Sequence, residues 1–297
     1  MDKRIDRGYA LALTSVAIWS TLAALMKLLL EDIPNLQALC IGAFFAFLFL
    51  LVYNLSNSGR RAAVRGTTRG QALRMAGLGF LGLFMYSALY YEGISELTSQ
   101  EACILNYLWP IMLVLFSCML LGEGFTVRKG VAMTLSFIGI VVLTSGSGDT
   151  AGGNRLLGVV CCIAGAACYG LFSVLNKKLD MDQNVTMMII WLTTSVCSLA
   201  LGLATEEWVA VEGAQWAGFL WLGVAINAVA YLTWALAIGG SGETARIANL
   251  AYLTPFLSLV VSAVVLGEEL GAASLVALVL IIGGILLQGI GSRPEKD

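Results

Sequence analysis

The chain has 297 residues, 59% of them hydrophobic and only 12% charged, with a mean hydropathy of +0.86 and a formal net charge of −2. A soluble domain carries roughly 25% charged residues, so this composition excludes an ordinary water-solvated globule and makes lipid the expected solvent. The near-neutral charge says nothing about a partner, and no nucleic-acid partner is expected. With 0 histidines, and 7 cysteines that lie in apolar stretches without a CxxC pair, no metal, cofactor or catalytic residue is expected.

A membrane-spanning helix takes about 20 mostly apolar residues. Ten such stretches are predicted, at 9–30, 35–55, 72–92, 98–120, 127–146, 156–177, 185–204, 216–239, 245–266 and 272–291. The first follows Lys3, Arg4 and Arg7, as a cleaved leader would. Its apolar run from Tyr9 to Leu30 is too long for a leader and has no small-residue cleavage site before Lys27, so a retained helix is expected.

Several spans carry a polar or aromatic stripe. Ser15 and Trp19 share a face of the first, and Tyr86 and Tyr90 a face of the third. Cys103, Asn106 and Pro110, with Trp109 beside them, lie together on the fourth. Tyr169, Ser173 and Asn176 stripe the sixth, and Asn227, Tyr231 and Trp234 the eighth. Ala245, Asn249, Tyr252 and Phe256 stripe the ninth. Residues three, four or seven apart share one helix surface. A polar group facing hydrocarbon costs several kcal/mol or so unless paired, so the stripes should face inward. Interhelical hydrogen bonding explains any one of them singly, and tyrosines near helix ends also suit the membrane interface. As a set they predict a central cavity.

Basic residues gather in alternate connections: Lys3, Arg4 and Arg7; Arg60, Arg61, Arg65, Arg69 and Arg74; Arg128 and Lys129; Lys177 and Lys178; Arg246; Arg293 and Lys296. The other connections hold Glu31, Asp32, Glu92, Glu96, Glu206, Glu207, Glu212, Glu268 and Glu269, with only Lys27 and Arg155 against them. The bias of basic residues to the cytoplasmic side predicts both termini in the cytoplasm.

One pattern occurs twice. Tyr107-Leu108-Trp109-Pro110 runs on to Leu121-Gly122-Glu123, and Tyr252-Leu253-Thr254-Pro255 to Leu266-Gly267-Glu268, 145 positions later. Tyr86 and Tyr231 correspond at the same offset, as do Gly139-Ile140 and Gly284-Ile285. Trp19-Ser20 corresponds to Tyr169-Gly170 at 150, which puts about five extra residues in the arginine-rich connection. Five helices per copy is an odd number, so the second copy must enter the membrane inverted. The predicted units are 1–147, 155–291 and a cytoplasmic tail at 292–297. Pro110 and Pro255 lack an N–H and should kink their helices, freeing the carbonyls of Asn106 and Ala251. These kinks serve either as static packing devices or as pivots.

Ten helices in two five-helix repeats, each fourth helix bearing a central proline and ending in Leu-Gly-Glu, resemble the EamA-like branch of the drug/metabolite transporter superfamily. Within it, overall similarity and aromatic content are closest to exporters of aromatic and other amino acids. The resemblance implies an all-α polytopic membrane protein that exports small metabolites by alternating access through a central cavity. It also implies the cytoplasmic (inner) membrane of a bacterium.

The charge inventory narrows the cargo. No Lys or Arg lies in mid-span, so a dianionic substrate lacks its clamp and a neutral or zwitterionic solute fits better. Its ammonium would rest on aromatic faces or free carbonyls. The expected cavity residues are Trp19, Tyr86, Tyr90, Asn106, Trp109, Tyr169, Asn227, Tyr231, Trp234 and Tyr252. Glu101 is the deepest acid, followed by Glu243, and both suit helix N-termini. Glu123 and Glu268 read the same way, each before a following helix. Lys27 and Arg246 are expected to snorkel at the lipid face, with an outside role as charge at the site. Facilitated diffusion, rather than strong proton coupling, follows. A monomer or weak dimer is expected. The alternatives are a proton-coupled exporter of drugs or quaternary amines and, distantly, an intramembrane enzyme.

Overall fold

The computed structural model describes residues 3–120, 122, 126–146, 154–179, 181–239 and 249–289. It is built from ten apolar helices in the predicted order. They are α1 (3–29), α2 (Asn35–Leu55), α3 (69–96), α4 (99–120), α5 (Val127–Gly146), α6 (Arg155–Leu179), α7 (Gln183–Thr205), α8 (213–239), α9 (249–266) and α10 (Ala272–Gly289). Seven are long and apolar enough to cross a membrane, and three shorter apolar stretches lie in α5, α9 and α10. No strand occurs among the described residues. The arginine-rich connection, read as a loop, contains a short helix, Ser58–Gly66. Asn57 caps its first turn, and the Arg60 guanidinium lies over the Tyr53 ring. The expected tail at 292–297 and residues Glu123, Glu243, Ala245 and Arg246 lie outside the described residues.

Five helices are not regular throughout. α1 breaks at Ser20–Thr21, where both hydroxyls bond back to carbonyls three residues earlier, Ala17 and Ile18. Such bonds compete with the helix ladder. α3 and α8 widen into π-helical stretches at Gly79–Phe84 and Trp221–Val229. α4 breaks at Tyr107–Leu108, between Ser99–Asn106 and Trp109–Leu120. α9 opens as a 3-10 turn, Asn249–Tyr252, before Leu253–Leu266. The prolines therefore do not sit in mid-helix. Each lies in the first turn of a new segment, where a missing N–H is tolerated. The chain breaks just before the proline instead of bending over it.

The helices pack in a pseudo-two-fold pattern. α2 lies on α7 and α5 on α10, while α3 on α6 is mirrored by α8 on α1. The symmetry reaches single atoms. A Cβ on Gly139 would come within 3.1 Å of the Ala277 carbonyl, and one on Gly284 within 2.7 Å of the Ala132 carbonyl. Small residues let membrane helices approach backbone to backbone, and van der Waals contact there replaces the hydrophobic drive that lipid removes. The repeated Leu-Gly-Glu is also explained in part. Gly122 and Gly267 both have positive φ, 71° and 69°, the left-handed conformation that ends a helix and suits glycine.

Candidate functional site

The irregular points converge at the centre of the bundle. The break in α4 turns Asn106, Tyr107 and Trp109 toward α3, α6 and α9. The break in α1 brings Trp19 against α8. Between them lies a cavity of about 120 Å³ lined by Trp19, Tyr86, Tyr90, Asn106, Trp109, Tyr169 and Tyr231 among others. Its wall is a chain of ring contacts. Tyr86 stacks on Tyr90 with centroids 5.8 Å apart and packs at 5.0 Å on Tyr169, which meets Trp109 edge-on at 5.3 Å. Across the cavity, Trp19 meets Tyr231 at 5.2 Å and Trp234 at 5.4 Å. Among the described residues no Asp, Glu, Lys or Arg lines the space.

Seven of the ten expected cavity residues thus come together. Trp234 lies outside, in a neighbouring apolar pocket near Gln183 and Asn184. Asn227 lines that pocket and a small alcove beside the main cavity. Tyr252 lines none of these spaces. Its neighbours Ala251 and Thr254 line the main cavity instead, with Cys103, Tyr107 and Ser258. The 3-10 turn before Leu253 rotates the face that a continuous α-helix would have presented. Tyr107 sits one residue off the sequence stripe; its place in the repeated motif, paired with Tyr252, is the signal that points to the cavity.

Polar order in the cavity follows from the prolines. Pro255 cannot bond the Ala251 carbonyl, and the Tyr107 hydroxyl donates to that carbonyl at 3.1 Å. The first copy of the motif thereby satisfies the group left by the second. Asn106 donates its Nδ2 to the Tyr86 hydroxyl at 3.2 Å, while its buried Oδ1 has no partner. A buried acceptor left open at the wall is ready for a ligand donor.

The two candidate charges lie elsewhere, at the acidic end of the bundle, where the Glu-rich connections run. Lys27 does not snorkel into lipid. It is half-buried and donates to the carbonyls of Ile94, Ser95 and Leu97 at 2.9, 3.2 and 2.6 Å, capping the C-terminus of α3. Glu101 is buried, pairs with Arg155 at 2.8 Å and forms a capping box with Thr98. Glu268 does not serve the helix that follows it. It reaches back to α4, accepting from the backbone N–H of Ser99 and Gln100 at 2.7 and 3.1 Å and from the Ser99 hydroxyl. The Ser262 hydroxyl on α9 lies 2.6 Å from the Ser99 hydroxyl and completes the group. Glu206, at the end of α7, caps α2 in the same way through Leu36 and Gln37, at 2.8 and 3.0 Å.

A family profile described as the EamA-like transporter family matches the chain twice, over residues 6–145 and 156–289. The aromatic amino acid exporter YddG of Ancylobacter novellus is 26% identical, with 94% of this chain and 96% of the relative covered. A protein of Escherichia coli named "Probable amino-acid metabolite efflux pump" is 24% identical, with 96% of each covered. An uncharacterized transporter of Bacillus subtilis, YvbV, is 27% identical, covering 73% of this chain and 71% of the relative. A solved crystal structure superposes with a TM-score of 0.68 at 24% identity over 95% of this chain and 96% of the other, and so shares the fold. Two profile matches that together span nearly all ten helices assign the chain: it is a multi-pass membrane transporter and belongs to the EamA-like transporter family.

Proposed function

We propose that the protein exports amino acids, aromatic and other apolar ones foremost, from the bacterial cytoplasm across the inner membrane, with both termini cytoplasmic. One observation carries this reading: the central cavity is walled by aromatic rings, takes no formal charge from the described residues and offers the unpartnered Asn106 Oδ1. Ring faces attract a cation within about 6 Å, and a zwitterion brings its own compensating charge. Relatives named as exporters of amino acids or their metabolites agree with it. A drug or quaternary ammonium ion would also suit ring faces, but among the described residues no carboxylate lines the cavity to balance a permanent cation.

Transport would proceed by alternating access between the halves 1–147 and 155–291. In this reading the acidic end would be held shut by Glu268 on α4, Ser99 on Ser262, Glu101 on Arg155 and Tyr107 on the Ala251 carbonyl. Inverted symmetry supplies the opposite arrangement: Tyr252 would donate to the Asn106 carbonyl, the group that Pro110 leaves without its helical N–H. The two prolines then mark the places where one hydroxyl–carbonyl bond is exchanged for its counterpart. Glu101 is the deepest acid and is tied to Arg155, so the reading is a facilitator without proton coupling.

Counterflow of labelled amino acids in proteoliposomes, with and without a pH gradient, tests this. Saturable exchange of tryptophan, phenylalanine or leucine that changes less than about twofold with the gradient is expected. No exchange of any amino acid would defeat the reading. Strong acceleration by the gradient that Glu101→Gln abolishes would replace the facilitator with a proton-coupled exporter.

A further inference from the structure

Beside the main cavity, between α3, α7 and α8, lies an alcove of about 30 Å³. Trp19, Leu22, Tyr86, Tyr90 and Tyr231 line both spaces, so the two adjoin through these side chains. Two buried donors line the alcove and have no acceptor: Trp191 Nε1, on a residue 2% exposed, and Asn227 Nδ2, on a residue 6% exposed. An indole N–H can only donate, and a buried donor left open costs stability. The Asn227 amide lies near α2, where a Cβ on Gly42 would come within 3.8 Å of Nδ2, and still finds no carbonyl there. Its side chain is carried by the π-helical stretch of α8, and local widening of a helix is a recurring feature of functional sites.

The main cavity presents an open acceptor, Asn106 Oδ1, and the alcove presents open donors. We propose that the alcove takes the carboxylate of the transported amino acid, held by Trp191 Nε1 and Asn227 Nδ2, while the ammonium and the side chain stay in the aromatic cavity. This rests on the amino-acid reading above and deepens it. The alcove has about a quarter of the volume of the main cavity, about 30 against 120 Å³. The small charged end of the substrate fits the smaller space and its ring or branched side chain the larger, so the substrate enters with a fixed orientation. A decarboxylated amine has nothing to place there.

Equilibrium binding to the purified transporter tests the subsite. The probes are tryptophan, phenylalanine and leucine, each against its amine: tryptamine, phenethylamine and isoamylamine. Trp191→Phe keeps the ring and removes the N–H; Asn227→Leu keeps the bulk and removes the amide. Each variant is expected to weaken amino-acid binding about tenfold, the loss of one charge-assisted hydrogen bond, and to leave amine binding within about twofold. Equal weakening of acid and amine in both variants, or no weakening of either, would overturn the assignment. A wild-type protein that binds none of the amino acids would refute the amino-acid reading itself, and the subsite with it.

Discussion

At α5 and α10 the two halves of the chain are interchangeable: Gly139 meets the Ala277 carbonyl as Gly284 meets the Ala132 carbonyl. At α4 and α9 they are not. Tyr107 bonds the Ala251 carbonyl, and among the described residues Tyr252 makes no counterpart bond to Asn106. α1 is broken at Ser20–Thr21, whereas α6 runs unbroken through the corresponding Gly170 and Leu171. Gly170 there lies so close to α4 that a Cβ would come within 2.7 Å of the Leu113 nitrogen. One sequence pattern used twice in one molecule is a controlled comparison, because the chemistry is shared and only the conformation differs. Contacts that are equal in both halves form a frame that need not move. Contacts that are unequal define the state in which the molecule is held, and they are what an exchange of states must break and remake.

The frame should fail hardest and most evenly. Gly139→Val and Gly284→Val each force a branched side chain against a carbonyl on the facing helix, an overpacking cost of about 3 kcal/mol. Both variants should lose thermal stability in detergent to a similar degree. A large difference between them would show that α5 and α10 are not equivalent.

Next in size is the Glu268 contact. Hydrogen bonds to a charged acceptor are worth roughly 1.5–3 kcal/mol, and part of that is screened because Glu268 is only partly buried. Glu268→Ala should destabilise the closed acidic end by about 2 kcal/mol, more than tenfold in its open population. Cys103, which lines the cavity, is the reporter. In a variant that keeps it as the sole cysteine, an impermeant maleimide added from the acidic side should label faster when Glu268 is removed. Unchanged labelling would mean that Glu268 holds nothing shut.

How much of this was legible beforehand depends on range. The stripes were readable because rings and amides recur at helical spacing, and Trp19, Tyr86, Tyr90, Asn106, Trp109, Tyr169 and Tyr231 do meet. Tyr252 lines none of the three spaces described, because helical spacing does not carry through a turn that is not α-helical. The π-helical stretches left no mark in composition, since a local change of hydrogen-bond register needs no particular residue. Glu268 was read as serving its own helix because its partners lie 169 and 168 positions away. Nothing local in Leu-Gly-Glu names them. The break in α1 involves neither proline nor glycine, only two adjacent hydroxyls that bond backwards.

A smaller effect separates the two tyrosines. Interhelical hydrogen bonds inside membranes average about 0.6 kcal/mol, so Tyr107→Phe should raise Cys103 labelling from the acidic side about threefold. Tyr252→Phe, whose hydroxyl makes no such bond in this state, should leave that rate alone and instead disfavour the opposite state. Equal effects from both would erase the asymmetry on which the exchange rests.

The smallest change in stability, and the most informative about motion, is expected at Pro255. It lies in the first turn of Leu253–Leu266, where proline costs little, so Pro255→Ala should alter the melting temperature only slightly. It does add the N–H that a continuous α-helix would direct at the Ala251 carbonyl, four residues back, and α9 made regular through this turn would set that donor against the Tyr107 hydroxyl for the same acceptor. Once an intrahelical bond satisfies Ala251, the bond between the halves has no vacancy to fill. Counterflow should then fall severalfold in a protein that remains folded, and Pro110→Ala should do the same through Asn106. If both alanine variants are folded and transport at the wild-type rate, the prolines are static features of packing and the exchange between hydroxyl and carbonyl plays no part in transport.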